Sequence, residues 1–365
     1  MSSNDEGERG RSAPRGNGRG NRLRKVTLRD VAAAAGVSTM TVSNVLNDKP
    51  NVGKSSRERV NAAIHRLGYV PNRAAQQLAG EPDLRIGLLY TGVLNSFAAA
   101  LFIGSVTAAS SLRAEVSIRL AGIDDPKALR ETLHRMRRAG VEGFLLPAPI
   151  AEAAALAFEK EALDVPAVAI ATGFPIPGMA SVRCDDRRAA FELVSMLLDL
   201  GHVHVGHITG PTSQSVSIVR REGYGAALLS RGIEPRPELV VESAFNFQAG
   251  IAAADVLLDR EPGITAIFAA NDTLAAGVIA AAHRRGLAVP EALSVVGYDD
   301  APIAEQVWPA LTTARQDSIA LTERAFAILA DDVRARRGGS TILSSQDVVL
   351  PHEIVSRASV ARPRS

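Results

Sequence analysis

The chain has 365 residues, too many for one ordinary hydrophobic core and enough for two or three folded units. Hydrophobic residues make up 46% and charged residues 22%, a globular balance, while aromatics are only 4%, so Ala, Val, Leu and Ile must fill the interior. The single cysteine, Cys184, excludes an intramolecular disulfide framework and a cysteine-based zinc site.

The net charge of +2 hides a division. Residues 1–80 hold 14 Lys and Arg against 6 Asp and Glu, and the remainder hold 27 against 33. A basic head on an acidic body points to a polyanionic partner for the head. No apolar run approaches 18 residues, and polar and charged residues follow Met1 in place of a signal-peptide core. The expectation is a cytoplasmic protein with no membrane partner.

Residues 1–25 are rich in Gly, Arg, Ser and Asn and cannot bury enough apolar surface to order themselves, which predicts a disordered basic arm. That arm either adds non-specific phosphate attraction or is inert. At Thr27 the texture changes. Thr27-Leu28-Arg29-Asp30 has the form of a capping box, with Asp where Glu or Gln is usual, and opens a short helix through Ala35. Gly36 stops it and Ser38 caps a second helix, Thr39 to about Leu46. On that helix Val42, Val45 and Leu46 share one face, leaving Thr39, Met40, Ser43 and Asn44 to point outward. A third helix is predicted from about Ser56 to Gly68, with Val60, Ile64 and Leu67 on one stripe. Two short helices joined by a tight glycine turn and backed by a third form a helix-turn-helix unit.

Tyr69-Val70-Pro71 then leads into a stretch from Asn72 to Gly80 with a cap, good helix formers and a glycine stop, but almost no apolar face. So short a helix is marginal in water and is expected to order only when supported. From Leu84 onward, short apolar runs alternate with amphipathic helical stretches. Candidate strands are Arg85–Tyr90, Val116–Leu120, Gly143–Pro147, Ala167–Ala171, Val205–Ile208, Ala266–Ala270 and Ser294–Gly297. This alternation predicts parallel sheets with helices on both faces, divided into two lobes because one sheet of so many strands is unusual. A ligand would sit between the lobes, at the C-terminal strand ends.

Several runs of residues carry a resemblance to the LacI/GalR family of bacterial repressors. Val26-Thr27-Leu28-Arg29-Asp30-Val31-Ala32, Ala35-Gly36-Val37-Ser38 and Thr41-Val42-Ser43-Asn44-Val45-Leu46-Asn47 resemble the family's headpiece. Tyr69-Val70-Pro71-Asn72 through Leu78-Ala79 is similar to its hinge helix. Leu200-Gly201-His202, Gly210-Pro211, Ala270-Asn271-Asp272, Val295-Val296-Gly297-Tyr298-Asp299-Asp300 and Leu311-Thr312-Thr313 follow in the family's order. The likeness covers about residues 26–358, and the segment from Tyr90 to Phe102 departs from it more than the rest.

The resemblance implies an all-α helix-turn-helix headpiece plus an α/β periplasmic-binding-protein-like sensor domain of two doubly wound parallel-sheet lobes. The divisions are a basic arm (1–25), a headpiece (26–71), a hinge helix and linker (72–83), an effector-binding and dimerisation domain (84–358) and a tail (359–365). It implies a homodimeric repressor of a carbohydrate-utilisation operon that binds operator double-stranded DNA, answers to a small-molecule effector, expected to be a sugar or sugar derivative, and needs no cofactor. On the recognition helix it places Thr39, Met40 and Asn44 against base edges. This agrees with the chemistry, since Asn can pair bidentately with adenine and Met can lie against a thymine methyl. Thr27, Ser38, Thr41 and Ser43 suit phosphates, through hydroxyls and helix N-termini. In the hinge, Asn72, Gln76 and Leu78 would meet DNA, with Leu78 either wedging between base pairs or packing on the body.

In the sensor, the resemblance assigns the effector to Arg220, expected to open a helix after the Gly210-Pro211 loop, with Asn271, Asp299 and Gln316. Phe245 would form an aromatic wall with or without Phe247, and Asp185 would come from the opposite lobe. A carboxylate, an amide and a guanidinium beside an aromatic face suit vicinal hydroxyls. An enzyme is the first rival, but no Gly-x-Ser-x-Gly elbow or Walker A loop occurs. His202, His204 and His207 invite a metal assignment, yet alternation sets His204 opposite His207. A periplasmic sugar-binding protein would share the two lobes without the basic headpiece. After Leu350 no heptad tail is visible, which favours a dimer over a tetramer.

Overall fold

A computed structural model describes residues 26–46, 52–67, 84–157, 165–340 and 344–364. The chain divides into two compact units, Met1–Pro82 and Asp83–Ser365.

The first unit contains α1 (Leu28–Ala35), α2 (Thr39–Leu46) and α3 (Lys54–Leu67). The capping box forms: Thr27 N–H donates to Asp30 Oδ2 at 2.8 Å, and Asp30 N–H donates to Thr27 Oγ1 at 3.4 Å. Gly36 ends α1 with φ of 64°, a left-handed conformation that favours glycine. Ser38 Oγ accepts from Thr41 N–H at 3.1 Å and so starts α2. Val31, Ala35, Val42, Val45, Val60 and Ala63 form the core. Helix α3 begins two residues earlier than its pattern predicts, and Ala63 joins Val60 inside while Ile64 and Leu67 are only half-buried.

The second unit is two stacked α/β lobes. The first has a sheet in the order β11-β5-β4-β3-β1-β2, all pairs parallel. Its strands are β1 (Leu84–Tyr90), β2 (Ala114–Leu120), β3 (Gly143–Pro147), β4 (Ala167–Ile170), β5 (Ala180–Cys184) and β11 (Asp347–Leu350). The second has the order β12-β10-β9-β8-β6-β7, from β6 (Val205–Thr209), β7 (Val240–Glu242), β8 (Ala266–Ala269), β9 (Ser294–Asp299), β10 (Thr312–Gln316) and β12 (His352–Val355). It departs from a wholly parallel sheet at one edge, where β12 runs antiparallel to β10.

Strand alternation fills both faces of each sheet. In the first lobe, Ile86, Leu88, Leu145, Val168 and Ile170 face the helices Ser96–Leu112 and Ser318–Arg337. Leu89, Phe144, Leu146, Ala167 and Ala169 face the opposite way, toward Leu129, Leu133 and Met136 of the helix Pro126–Arg138. The second lobe repeats the plan. Helices Phe247–Arg260 and Asp272–Arg284 cover one face, and Asp186–Asp199 and Ser215–Leu229 cover the other.

Among the described residues the chain crosses between lobes three times, after β5, after β10 and after β11. In each sheet the strand order reverses at the first strand of the lobe, between β1 and β3 and between β6 and β8. Such switch points open a crevice at the carboxyl ends of the strands.

Candidate functional site

Two surfaces carry chemistry, one in each unit. In the headpiece, Ser38, Thr39 and Met40 are exposed at the start of α2, and Met40 keeps 74% of its surface open. Exposing a large apolar side chain at a helix start, while Val42 and Val45 are buried, separates a core face from a contact face. Thr41, Ser43 and Asn44 are half-buried along α2, and Thr27 is exposed at the start of α1. Seven of the ten residues singled out in this region therefore cluster on α2 and the neighbouring helix start. The other three, Asn72, Gln76 and Leu78, lie outside the described residues.

In the sensor, a cleft of about 330 Å³ opens between the lobes at the two switch points. Arg220, Phe245, Asn271, Asp299 and Gln316 all line it. Arg220 is the sixth residue of its helix rather than the first, because the helix starts at Ser215. The guanidinium is buried and heavily engaged. Nε donates to Asp186 Oδ1 at 2.7 Å and another nitrogen to the carbonyl of Ala270 at 2.7 Å, while the plane lies 3.6 Å from the Tyr298 ring centroid. Burial favours the neutral guanidine, but the charges of Asp186 and Asp299 outweigh it, so Arg220 stays firmly cationic.

Asp299 closes β9 with φ of 109°, and Ala171, another cleft residue, has φ of 55°. Non-glycine residues held in this region store strain and concentrate at binding sites. The Asp299 carboxylate accepts from Gln316 Nε2 at 2.6 Å and lies 3.8 Å from Arg220. Burial raises its pKa to about 6, against the opposing pull of Arg220 and the Gln316 amide. Behind it, Asp272 is fully buried and accepts from Ala301 N–H at 2.7 Å and Thr313 Oγ1 at 2.6 Å, tying β10 to the turn that follows Asp299. Burial first, and then the Asp299 charge, push the Asp272 pKa well up.

Asn271 caps the helix Asp272–Arg284, its Oδ1 accepting from Leu274 N–H at 2.8 Å, so its amide N–H₂ is the group left for a ligand. Asn95 and Asn246 cap two further helices in the same way and also line the cleft.

Asp185 does not line the cleft. It is exposed at a lobe crossing, where its side chain accepts from Arg188 N–H at 3.0 Å, and the inward carboxylate is its neighbour Asp186. Phe247, the first residue of the helix that Asn246 caps, is exposed and does not line the cleft either. The three histidines diverge. His202 bonds Thr265 and the Ala361 carbonyl, His204 is exposed, and His207 is stacked between Tyr224 and Phe268 at 5.0 and 4.7 Å. Among the described residues no group of His, Cys, Asp and Glu could hold a metal ion. Tyr90, Thr91 and Phe97 from the first lobe and Gln214 from the second also line the cleft. Their signal in the sequence is position: Tyr90 ends β1, and the others follow the carboxyl ends of β1 and β6.

A helix-turn-helix unit joined to a two-lobed sheet fold with a cleft at its switch points defines a DNA-binding regulator with a ligand-sensing domain. Residues 27–72 match the family described as bacterial regulatory proteins, lacI family, and residues 194–360 match a periplasmic binding protein-like domain. The chain is similar to catabolite control protein A of Priestia megaterium, with 32% identity over 336 residues, 92% of this chain and 99% of the relative. Among solved structures it is similar to the lac repressor dimer bound to operator and the anti-inducer ONPF, with a TM-score of 0.75, 29% identity and coverage of 93% of this chain and 100% of that one. It is also similar to the complex of the regulator CelR with cellobiose, with a TM-score of 0.66, 28% identity and coverage of 92% and 99%. The chain belongs to the LacI family of bacterial transcriptional regulators. No helix among the described residues is long and apolar enough to cross a membrane.

Proposed function

We propose that the protein is a cytoplasmic, homodimeric repressor of a carbohydrate-utilisation operon, whose operator binding is set by an uncharged sugar held in the interlobe cleft. The observation that carries the sugar assignment is the charge of the cleft. Among the described residues Arg220 is the one Lys or Arg in its lining, and Asp186 and Asp299 already neutralise it. A phosphate or carboxylate would meet the Asp299 carboxylate with no free cation among the described lining residues to offset it. A neutral polyol would instead offer hydroxyls to Asp299 and accept from the amides of Asn271 and Gln316, with its apolar face on Phe245. The CelR complex with cellobiose supports the same ligand class.

On the DNA side, Thr39, Met40 and Asn44 read base edges, and Thr27, Ser38, Thr41 and Ser43 meet phosphates. The boundaries proposed are 26–71 for the headpiece, 72–83 for the hinge and 84–358 for the sensor. Asn72, Gln76 and Leu78 serve the hinge, which orders on DNA beside its partner copy. The sensor carries no catalytic role. Calorimetric titration of the full chain against neutral sugars and their phosphorylated counterparts tests this. Binding of a neutral sugar, with its phosphate ester rejected, is the expected result; a preference for the ester would overturn the assignment.

A further inference from the structure

Away from the ligand-facing side chains, the two lobes are joined by a contact that no ligand needs to touch. Ser215, the first residue of the helix Ser215–Leu229 in the second lobe, is buried. Its hydroxyl accepts from the backbone N–H of Gly173 at 2.8 Å and donates to Glu152 Oε1. Gly173 follows β4, and Glu152 lies on the helix Ile150–Ala157, both in the first lobe. One hydroxyl thus spends its donor and an acceptor position on the opposite lobe, and one of those bonds is charge-assisted.

The backbones are pressed together at the same point. A Cβ added to Gly173 would lie 2.5 Å from the Ser215 carbonyl oxygen and 2.9 Å from the Val216 nitrogen. Gly173 is absent from the residues at positive φ, so the need for glycine there comes from the other lobe and not from its own backbone. Val216 and Ala171 line the cleft on either side of this point.

We infer that Glu152, Ser215 and Gly173 form a clasp that holds the lobes closed at the rim of the cleft and sets how readily they part. The second oxygen of Glu152 limits the strength of the clasp. Oε2 is buried with no hydrogen-bond partner among the described residues. Closing leaves this charged acceptor unsatisfied and opening hydrates it, so the clasp favours the closed state without locking it. Glu152 and Ser215 are positioning residues in this scheme. They act on the effector through lobe angle, and their role does not depend on which ligand the cleft takes.

The test is a distance between lobes in the full chain. Leu156 and Leu229 are exposed on helices of the first and second lobes, and Cys184 is buried with its thiol pKa pushed up to about 12, so nitroxide labels go to L156C and L229C alone. Labelled protein diluted with unlabelled protein is measured by pulsed electron resonance, with no ligand added. The parent should give one short, narrow distance distribution. Gly173→Ala should move it to longer distances by propping the lobes apart, Ser215→Ala should broaden it the same way, and Glu152→Gln, which keeps an acceptor, should stay near the parent. If folded Gly173→Ala and Ser215→Ala proteins both give the parent distribution, the clasp is wrong. Should Gly173→Ala fail to fold, Ser215→Ala decides alone: a shift supports the clasp and no shift overturns it.

Discussion

Asp299 offers a pH test whose size follows from its surroundings. Its pKa is raised by burial to about 6. The raised value means the proton is held more tightly in the folded chain than in the unfolded one. The stability this contributes is fully present below the ordinary carboxylate pKa of 3.8 and is lost as pH rises through about 6. A sugar that donates hydroxyls to Asp299 needs the carboxylate, so it competes with that proton. For one such group the ionised fraction falls about tenfold between pH 7 and pH 5, which is ~1.4 kcal/mol of binding. Calorimetric titration of the bound sugar should therefore show affinity dropping about tenfold over this range. Titrations in buffers of different ionisation enthalpy should show net proton release near pH 6. Asp299→Asn should bind about 2–5 kcal/mol more weakly at pH 7 and lose the pH dependence. A parent affinity that is flat from pH 7 to pH 5, or a mutant curve with the parent's slope, would rule out the Asp299 carboxylate as the group that accepts the sugar hydroxyls.

Other substitutions test separate parts of the account. Asn44→Ala should weaken operator binding by roughly 1–3 kcal/mol and relax preference at one base pair per half-site, and an unchanged motif from random-sequence selection would count against base reading. Leu78→Ala should reduce DNA bending and operator affinity while leaving sugar affinity without DNA unaltered; a circular-permutation gel assay showing parent-like bending would remove the wedge. His207 is buried neutral, its pKa lowered from 6.5 to about 4 by burial, so the stability tied to it is present above pH 6.5 and lost as pH falls toward 4. His207→Phe, which keeps the flat stack between Tyr224 and Phe268, should remove roughly 3 kcal/mol of that acid sensitivity in thermal unfolding followed against pH.

What could be seen in the sequence was what local chemistry decides. The Thr27 capping box, the Gly36 stop and the Ser38 cap each act within four residues, so the first two headpiece helices follow from the text alone. The core strands β1, β3, β4, β6, β8 and β9 are apolar runs and are equally plain. Strand β10 was not, because Thr312 and Thr313 are buried only by virtue of remote partners: Thr312 N–H donates to Ser359 Oγ and Thr313 Oγ1 to Asp272. Strand β5 is broken in pattern by Ser181 and Arg183, and β11 and β12 are short edges.

The cleft divided in the same way. Asp299 and Asn271 are reached by strand-end reasoning, whereas Phe245 follows the strand β7, which is too short to show as an apolar run, and is reached only through the family resemblance. The choice between Asp185 and Asp186 turns on one residue at a helix start, and only the position of Arg220, 34 residues on, decides which carboxylate turns inward. The Glu152–Ser215 contact joins residues 63 apart on different lobes and has no local signature.

In the proposed function, sugar in the cleft and operator on the headpiece are coupled. Operator affinity of the full chain, measured by fluorescence anisotropy at fixed salt with and without saturating sugar, tests it most directly. Saturating sugar should change operator affinity about 5- to 150-fold, or ~1–3 kcal/mol, and by reciprocity operator DNA must shift sugar affinity by the same factor. Equal operator affinity with and without a sugar that demonstrably occupies the cleft would contradict it.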